Sequence, residues 1–392
     1  MVNHGSCKMR RLLFKGCDPG EFDESTPESD YAHSLHRKVT IILLMILALF
    51  VSLAAALSLG AVDVPILDTI KIMLNSVTGG LFGDPSEDYY TRIIINLRMP
   101  RILLCTLAGF SLGLAGAVMQ GLLRNPLVSP FTLGVSTAAS FGAALAIVFG
   151  TAILGGSYYY NFEVFGTYLS VDQLMKTVSA FLFGLLSIGI VLVLTYRANV
   201  SRSTLILSGV IISYIFQAGL MFMKYVSDDT QLRDITMWMM GGLSGATWGT
   251  ILIILPVVII CSIYLEKLAI DINTLSSGDD VASNLGVDVQ KLRTRGLIIS
   301  TLIASICIAF TGTIGFVGLM APHICRKIIG NDSRYLFPAS ALFGALILLI
   351  SDIVSRLIMR PSELPVGILM YLIGGIFFIW LVFGKKLGRS EA

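Results

Sequence analysis

Ten stretches of roughly twenty apolar residues each, separated by short polar turns, leave this chain few ways to fold. They fall at about 39–59, 99–122, 131–151, 174–196, 204–224, 248–268, 296–311, 313–329, 337–358 and 364–384. At about 1.5 Å rise per residue, such a run crosses a hydrocarbon core as a helix. The runs are continuous rather than alternating, which argues against a barrel of strands. Of 392 residues 55% are hydrophobic and only 14% charged, more apolar surface than a soluble domain of this length can bury. The expectation is an all-α, polytopic membrane protein with ten transmembrane helices. The seventh and eighth runs form one apolar stretch punctuated by Gly312, Gly315 and Gly318, which suits two short helices or one kinked helix.

An even count places both ends on one side. If that side is the cytoplasm, most of the 28 Lys and Arg residues lie inside, among them Lys8, Arg10, Arg11, Lys291, Arg293, Arg295, Lys385 and Lys386. The positive-inside rule supports this orientation. Residues 1–38 read as a polar cytoplasmic tail with no secretory signal, residues 39–387 as the ten-helix membrane domain and 388–392 as a short cytoplasmic tail. His4, Cys7, Cys17, His33 and His36 have no zinc-like spacing, and the six cysteines contain no CxxC. The net charge of +3 points to no nucleic-acid partner, and no metal or cofactor is implied.

The outer side holds a basic minority that includes Arg98 and Arg101 before the second span and Arg356 near the end of the ninth. Charge alone favours snorkelling, with Asp352 and Arg356 paired at i,i+4. A basic ring that docks an acidic partner is the sharper alternative. The second span steps through Gly109, Gly113, Ala117 and Gly121, a small-residue ridge for close helix packing. Gln120 and Gln217 are polar residues inside spans, expensive against lipid and acceptable along a wet pathway.

Two inner turns are rich in helix breakers or hydroxyl residues: Arg124-Asn-Pro-Leu-Val-Ser-Pro130 and Asn199-Val-Ser-Arg-Ser-Thr204. The longest inner loop, about 269–295, contains a cap at Asn273–Asp280 and a short helix at Val281–Leu285. Gly286 stops that helix, and a second short amphipathic piece follows at Val289–Leu292. A partly apolar helix pair in water calls for a cover, and a partner protein would supply one. The chain has no GxxxxGK[ST] or HExxH motif, and its few intramembrane charges form no paired-acid site or proton relay. An enzyme is therefore not expected.

Several segments in order give a more specific reading. They are Leu97-Arg-Met-Pro-Arg101, Ala115-Gly-Ala-Val-Met-Gln-Gly121, Asn125-Pro-Leu127, Leu133-Gly-Val-Ser136, Leu207-Ser-Gly209, Trp238-Met-Met-Gly-Gly-Leu-Ser-Gly-Ala-Thr-Trp248, Gly315-Phe-Val-Gly-Leu-Met-Ala-Pro-His323 and Glu363-Leu-Pro-Val-Gly367. With them the chain, from about residue 40 to 387, resembles the membrane permease subunits of binding-protein-dependent ATP-driven importers for iron–siderophore complexes, haem and cobalamin. The resemblance implies the type II ABC importer permease fold in the cytoplasmic membrane. It also implies a second copy of the chain, two copies of a cytoplasmic ABC ATPase and an extracytoplasmic solute-binding protein. It assigns Arg98, Arg101 and Arg356 to docking of the binding protein, reversing the preference from charge alone. The inner gate maps to Asn125, Pro126 and Leu127, and a second gate to Arg202 and Ser203, where arginine departs from the small hydroxyl residue of the family pattern. ATPase coupling maps to Gly278, Asp279, Asp280, Ala282, Leu285 and Gly286.

The expected function is ATP-driven import of an iron(III)–siderophore-type chelate, with ATP hydrolysed on a separate chain. A cobalamin or haem permease of the same family is the alternative. A secondary transporter or channel driven by an ion gradient, and a membrane scaffold or sensor, are the rivals of other classes.

Overall fold

The computed structural model describes residues 27–60, 62–79, 85–164, 167–197, 202–360 and 362–387. Of the described residues, those up to Ile41 form one compact unit and those from Ile42 onward the other. The helices begin with α1 (Pro27–Ser58), α2 (Ile66–Thr78) and α3 (Asp88–Arg92). A π-helical turn, Ile93–Arg98, joins α3 to α4 (Met99–Leu123), so the second span is one continuous helical segment from Tyr89 to Leu123. Then follow α5 (Val135–Leu154), the hairpin β1 (Asn161–Val164) and β2 (Thr167–Ser170), α6 (Val171–Arg197), α7 (Arg202–Val226) and α8 (Asp229–Met239). The chain continues with α9 (Trp248–Lys267), α10 (Ala269–Ser276), α11 (Asp279–Asn284), α12 (Val289–Thr311), α13 (Val317–Ile329), α14 (Ser333–Ile358) and α15 (Val366–Leu387). Among the described residues, eight helices are long and apolar enough to cross a membrane, and Val366–Leu381 of α15 is a further apolar stretch.

Helix α4 is the core of the bundle. Most of its residues are buried, and it packs along α14, α12 and α13. The reason is its small-residue ridge. A Cβ at Gly109 would collide with the Gly344 carbonyl, one at Gly113 with the Ser340 carbonyl, and one at Gly116 with the Gly318 carbonyl. Backbone-to-backbone contact of this kind packs helices in lipid, where apolar surface alone supplies no drive. The ridge therefore serves packing within one chain, and Gly116, off the expected four-residue step, makes a second close approach on another face, to α13.

The seventh and eighth runs are two helices. Helix α12 ends before Gly312, which has φ 68°, and residues 312–316 are irregular and largely buried, with Phe316 at φ 67°, before α13 begins. Irregular backbone inside a bundle must find protein partners. Here the Gly242 amide donates to the Thr311 carbonyl at 2.8 Å, and the Thr313 hydroxyl donates to the Met239 carbonyl. At 13 residues, α13 is about 20 Å long and covers only part of the membrane thickness.

Three expectations shift. Residues 131–134 form a turn, so the third span starts at Val135. Val289–Leu292 is not a separate piece but the first turn of α12, capped by Asp288, whose side chain accepts from the Lys291 amide at 3.0 Å. The short helices of the inner loop are instead α10 and α11. Helices α2 and α8 were not anticipated. Helix α2 turns Asp68, Thr69 and Ile72 inward and leaves Ile66, Leu67, Ile70 and Leu74 exposed.

Candidate functional site

At one end of the bundle, charged side chains gather around the start of α4 and the end of α14. Arg101 donates to Asp352 at 2.9 Å and to Glu363 at 2.5 Å. Asp352 also faces Arg356, with Nε 3.0 Å from Oδ2, which is the i,i+4 pair expected from charge alone. The three arginines are not equivalent. Arg98 and Arg356 are buried, at 6% and 3% exposure. Arg98 donates to the carbonyls of Leu57, Ser58 and Val62, and Arg356 to those of Ala56 and Leu59, at 3.2 and 3.0 Å. All but the Val62 carbonyl lie at or just past the end of α1, where the helix has no amide of its own to satisfy them. Two guanidinium groups thus cap α1. Arg101 is the least buried of the three, and Arg360 pairs with Asp63 at the surface at 2.9 Å. That hydrogen bond holds the Asp63 carboxyl below the usual range.

Beside Arg101 opens a polar cleft of about 490 Å³, with Asp172, Lys176, Trp238 and Glu363 in its walls. Lys176 pairs with Asp172 at 2.6 Å. The hairpin, the α8–α9 connection and the start of α15 frame it, and Gln173 donates to the Gly245 carbonyl at 3.2 Å.

At the opposite end, α4 stops at Arg124, which adopts φ 48°, a left-handed conformation unusual for a side chain with a Cβ. Asn125 makes an Asx turn, its Oδ1 accepting from the Leu127 amide at 2.9 Å. Pro126 and Leu127 are exposed. Gln120 is buried; its amide donates to the Gly318 carbonyl at 3.4 Å, and its carbonyl accepts from Arg326 at 3.0 Å. It joins α4 to α13. Gln217 is half-buried on α7. Of the second gate, Ser203 is exposed at the start of α7, while residues 198–201 and the Arg202 side chain lie outside the described residues.

Near that turn α10 and α11 form the helix pair. Gly278 with φ 130° opens α11 and Gly286 with φ 88° closes it. Ala282 is fully buried, while Val281 and Leu285 stand 45% and 69% exposed. Asp279 and Asp280 occupy the first turn, where negative charge suits the helix dipole. Sequence reasoning named these residues. It did not anticipate that Arg293 and Arg124 converge on Asp279, at 2.8 and 3.9 Å.

A bundle of long apolar helices with a broken turn at one end of its central helix and a short, partly exposed helix beside it suits a transport permease. The profile of the FecCD transport family matches residues 44–384, and the chain belongs to that family. It is thus an ABC importer permease; ATP hydrolysis in this family lies on a separate chain. An ABC transporter permease protein of Methanocaldococcus jannaschii is 39% identical over 349 residues, covering 88% of this chain and 95% of that one. The hemin transport system permease protein of Yersinia pestis is 36% identical, covering 79% and 89%. The solved structure of a metal-chelate type ABC transporter in an inward-facing conformation matches with a TM-score of 0.74 at 29% identity, covering 88% of this chain and 99% of that one.

Proposed function

We propose that the chain is the membrane subunit of an importer for an iron(III)–siderophore-type chelate. It works as two copies, served by a cytoplasmic ATPase and an extracytoplasmic binding protein. Both termini lie in the cytoplasm, so the Arg101 end faces outward and the Arg124 end inward. The observation that carries this reading is α11. It is a short polar-loop helix, set off by two positive-φ glycines, that presents Val281 and Leu285 to the solvent side. Apolar residues displayed on such a helix suit a groove on a partner protein. With no phosphate-binding loop of its own, the chain takes its energy from that partner.

On the outside, the binding protein meets a surface to which Arg101 and Glu363 contribute directly, while Arg98 and Arg356 support it from beneath by holding the end of α1. Cargo then passes between the copies and leaves past Asn125-Pro126-Leu127, with Ser203 and Arg202 at the second gate. Gln120 and Gln217 are polar groups along that route. The motion is rigid-body rocking with no covalent step.

The chain reconstituted in liposomes with its ATPase and binding protein, and given a 55Fe-labelled ferric hydroxamate, should accumulate iron with ATP and without an ion gradient. Uptake that follows an ion gradient and ignores ATP overturns the reading. ATP-driven uptake of cobalamin or haem in place of the ferric chelate replaces only the cargo.

A further inference from the structure

The ends of α4, α10, α11 and α12 are tied together by three charged side chains. Arg293, near the start of α12, donates Nη2 to both oxygens of Asp279 at 2.8 Å. Its Nε donates to the carbonyl of Leu122, in the last turn of α4, at 3.3 Å. Arg124, the residue directly before Asn125-Pro126-Leu127, donates to the Leu275 carbonyl near the end of α10 at 3.1 Å. The same Nη1 lies 3.9 Å from Asp279. Asp279 is the first residue of α11. Apolar contact backs the charges: a Cβ at Gly121 would lie 2.6 Å from Cγ2 of Ile272, so α10 presses directly on the end of α4.

We infer that Arg293 and Arg124, gathered on Asp279, are the positioning residues that transmit displacement of α11 to the inner gate turn. The inference rests on the importer reading above, in which α11 meets the ATPase and Asn125-Pro126-Leu127 closes the route. Asp279 sits at the root of the helix whose exposed residues, Val281 and Leu285, point to the partner. From there one arginine reaches the end of the gate helix, and the other is itself part of the gate turn. Pairs this exposed, with 19–34% of each side chain accessible, add little to stability one at a time. Their contribution is directional. A planar guanidinium that grips both oxygens of one carboxylate and a carbonyl of another helix fixes three elements in one geometry, which a point-charge lysine cannot reproduce. The connection is a contiguous run of bonded groups between two sites, as mechanical coupling requires.

The test uses the full permease–ATPase complex in nanodiscs, with a nitroxide on Leu127→Cys reporting the gate turn. ATP should change the spectrum of this label in the otherwise native complex. In Arg293→Gln the ATPase should stay bound while the ATP-dependent spectral change falls by about fivefold or more, the low end of ordinary coupling between sites. Arg293→Lys should recover only part of it. Arg124→Gln, which takes the second arginine from Asp279 and the Leu275 carbonyl, should also weaken the response and serves if Arg293→Gln does not fold. A full ATP response in both variants overturns the link. So does release of the ATPase by either variant, because the residues would then belong to the dock itself. A complex without substitution at Arg293 or Arg124 that binds no ATPase overturns the importer reading instead, before any variant is compared.

Discussion

Arg101 Nη2 lies 2.9 Å from the carboxylate of Asp352, a group with no exposed side-chain surface, and this pair joins the start of α4 to the end of α14. Arg356 completes the arrangement from the other oxygen. One buried acid thus balances two guanidinium groups, and removing it leaves buried Arg356 with no carboxylate and Arg101 with Glu363 alone. Breaking a buried ion pair by deleting one partner costs about 3–5 kcal/mol. Asp352→Ala should therefore lower the unfolding temperature of the purified chain in detergent far more than Glu363→Ala, whose carboxylate is partly exposed. Equal, small shifts for the two would contradict this ranking.

The outer arginines separate into two experimental classes. Arg98 and Arg356 donate to the orphan carbonyls at the end of α1, and hydrogen bonds to charged groups contribute about 1.5–3 kcal/mol each. Arg98→Gln and Arg356→Gln should lower thermal stability and loosen α1, read by faster hydrogen exchange at residues 54–59. Arg101→Gln leaves Asp352 paired with Arg356 and should chiefly reduce the stimulation of ATP hydrolysis by the binding protein. A melting-temperature loss confined to Arg101→Gln would reverse the assignment.

Much of this architecture is legible in the chain because lipid imposes one rule on every span. Runs such as 248–268 and 337–358 must satisfy their own backbone and become helices. The same rule says nothing about how far a side chain reaches once packed. Arg98 and Arg356 were readable as outer cations, yet their burial depends on where α1 ends, some forty and three hundred residues away in sequence. Gly116 illustrates the other gap. It lies off the four-residue step because it faces α13 rather than α14, and no local pattern records which neighbour a glycine will meet. The Arg124–Asp279–Arg293 cluster was hidden for the same reason, since each residue alone is an ordinary inner charge.

The glycine ridge makes a sharp contrast testable. A Cβ at Gly113 or Gly116 would enter the space of a carbonyl on the neighbouring helix, where neither backbone can yield easily. Overpacking of this kind costs about 1–3 kcal/mol. Gly189, within α6, has nothing within 4 Å of the same position. There alanine removes the backbone entropy penalty of glycine and should be neutral or stabilising, by up to about 1 kcal/mol. Unfolding temperatures of Gly113→Ala, Gly116→Ala and Gly189→Ala in one detergent check the prediction, and a stabilised Gly116→Ala would refute the close approach.

The turn between α13 and α14 supplies a pH-dependent element outside the spans. Asp332 caps α14; it accepts from Arg334 at 2.7 Å and from the Asn273 amide at 2.7 Å, which also ties α10 to this turn. The hydrogen bond to Arg334, with that from Asn273 behind it, pulls its pKa from the ordinary 3.8 down to about 2. The folded value lies below the unfolded one, so the carboxylate contributes stability above pH about 4. That contribution is lost as pH falls through the window from about 4 to about 2. Asp332→Asn, which cannot titrate, should lower the unfolding temperature at neutral pH and flatten its decline across that acid window. Parallel acid titrations of the two proteins, followed by tryptophan fluorescence in detergent, measure the difference. Curves of identical slope below pH about 4 would show that Asp332 does not anchor the turn through its charge.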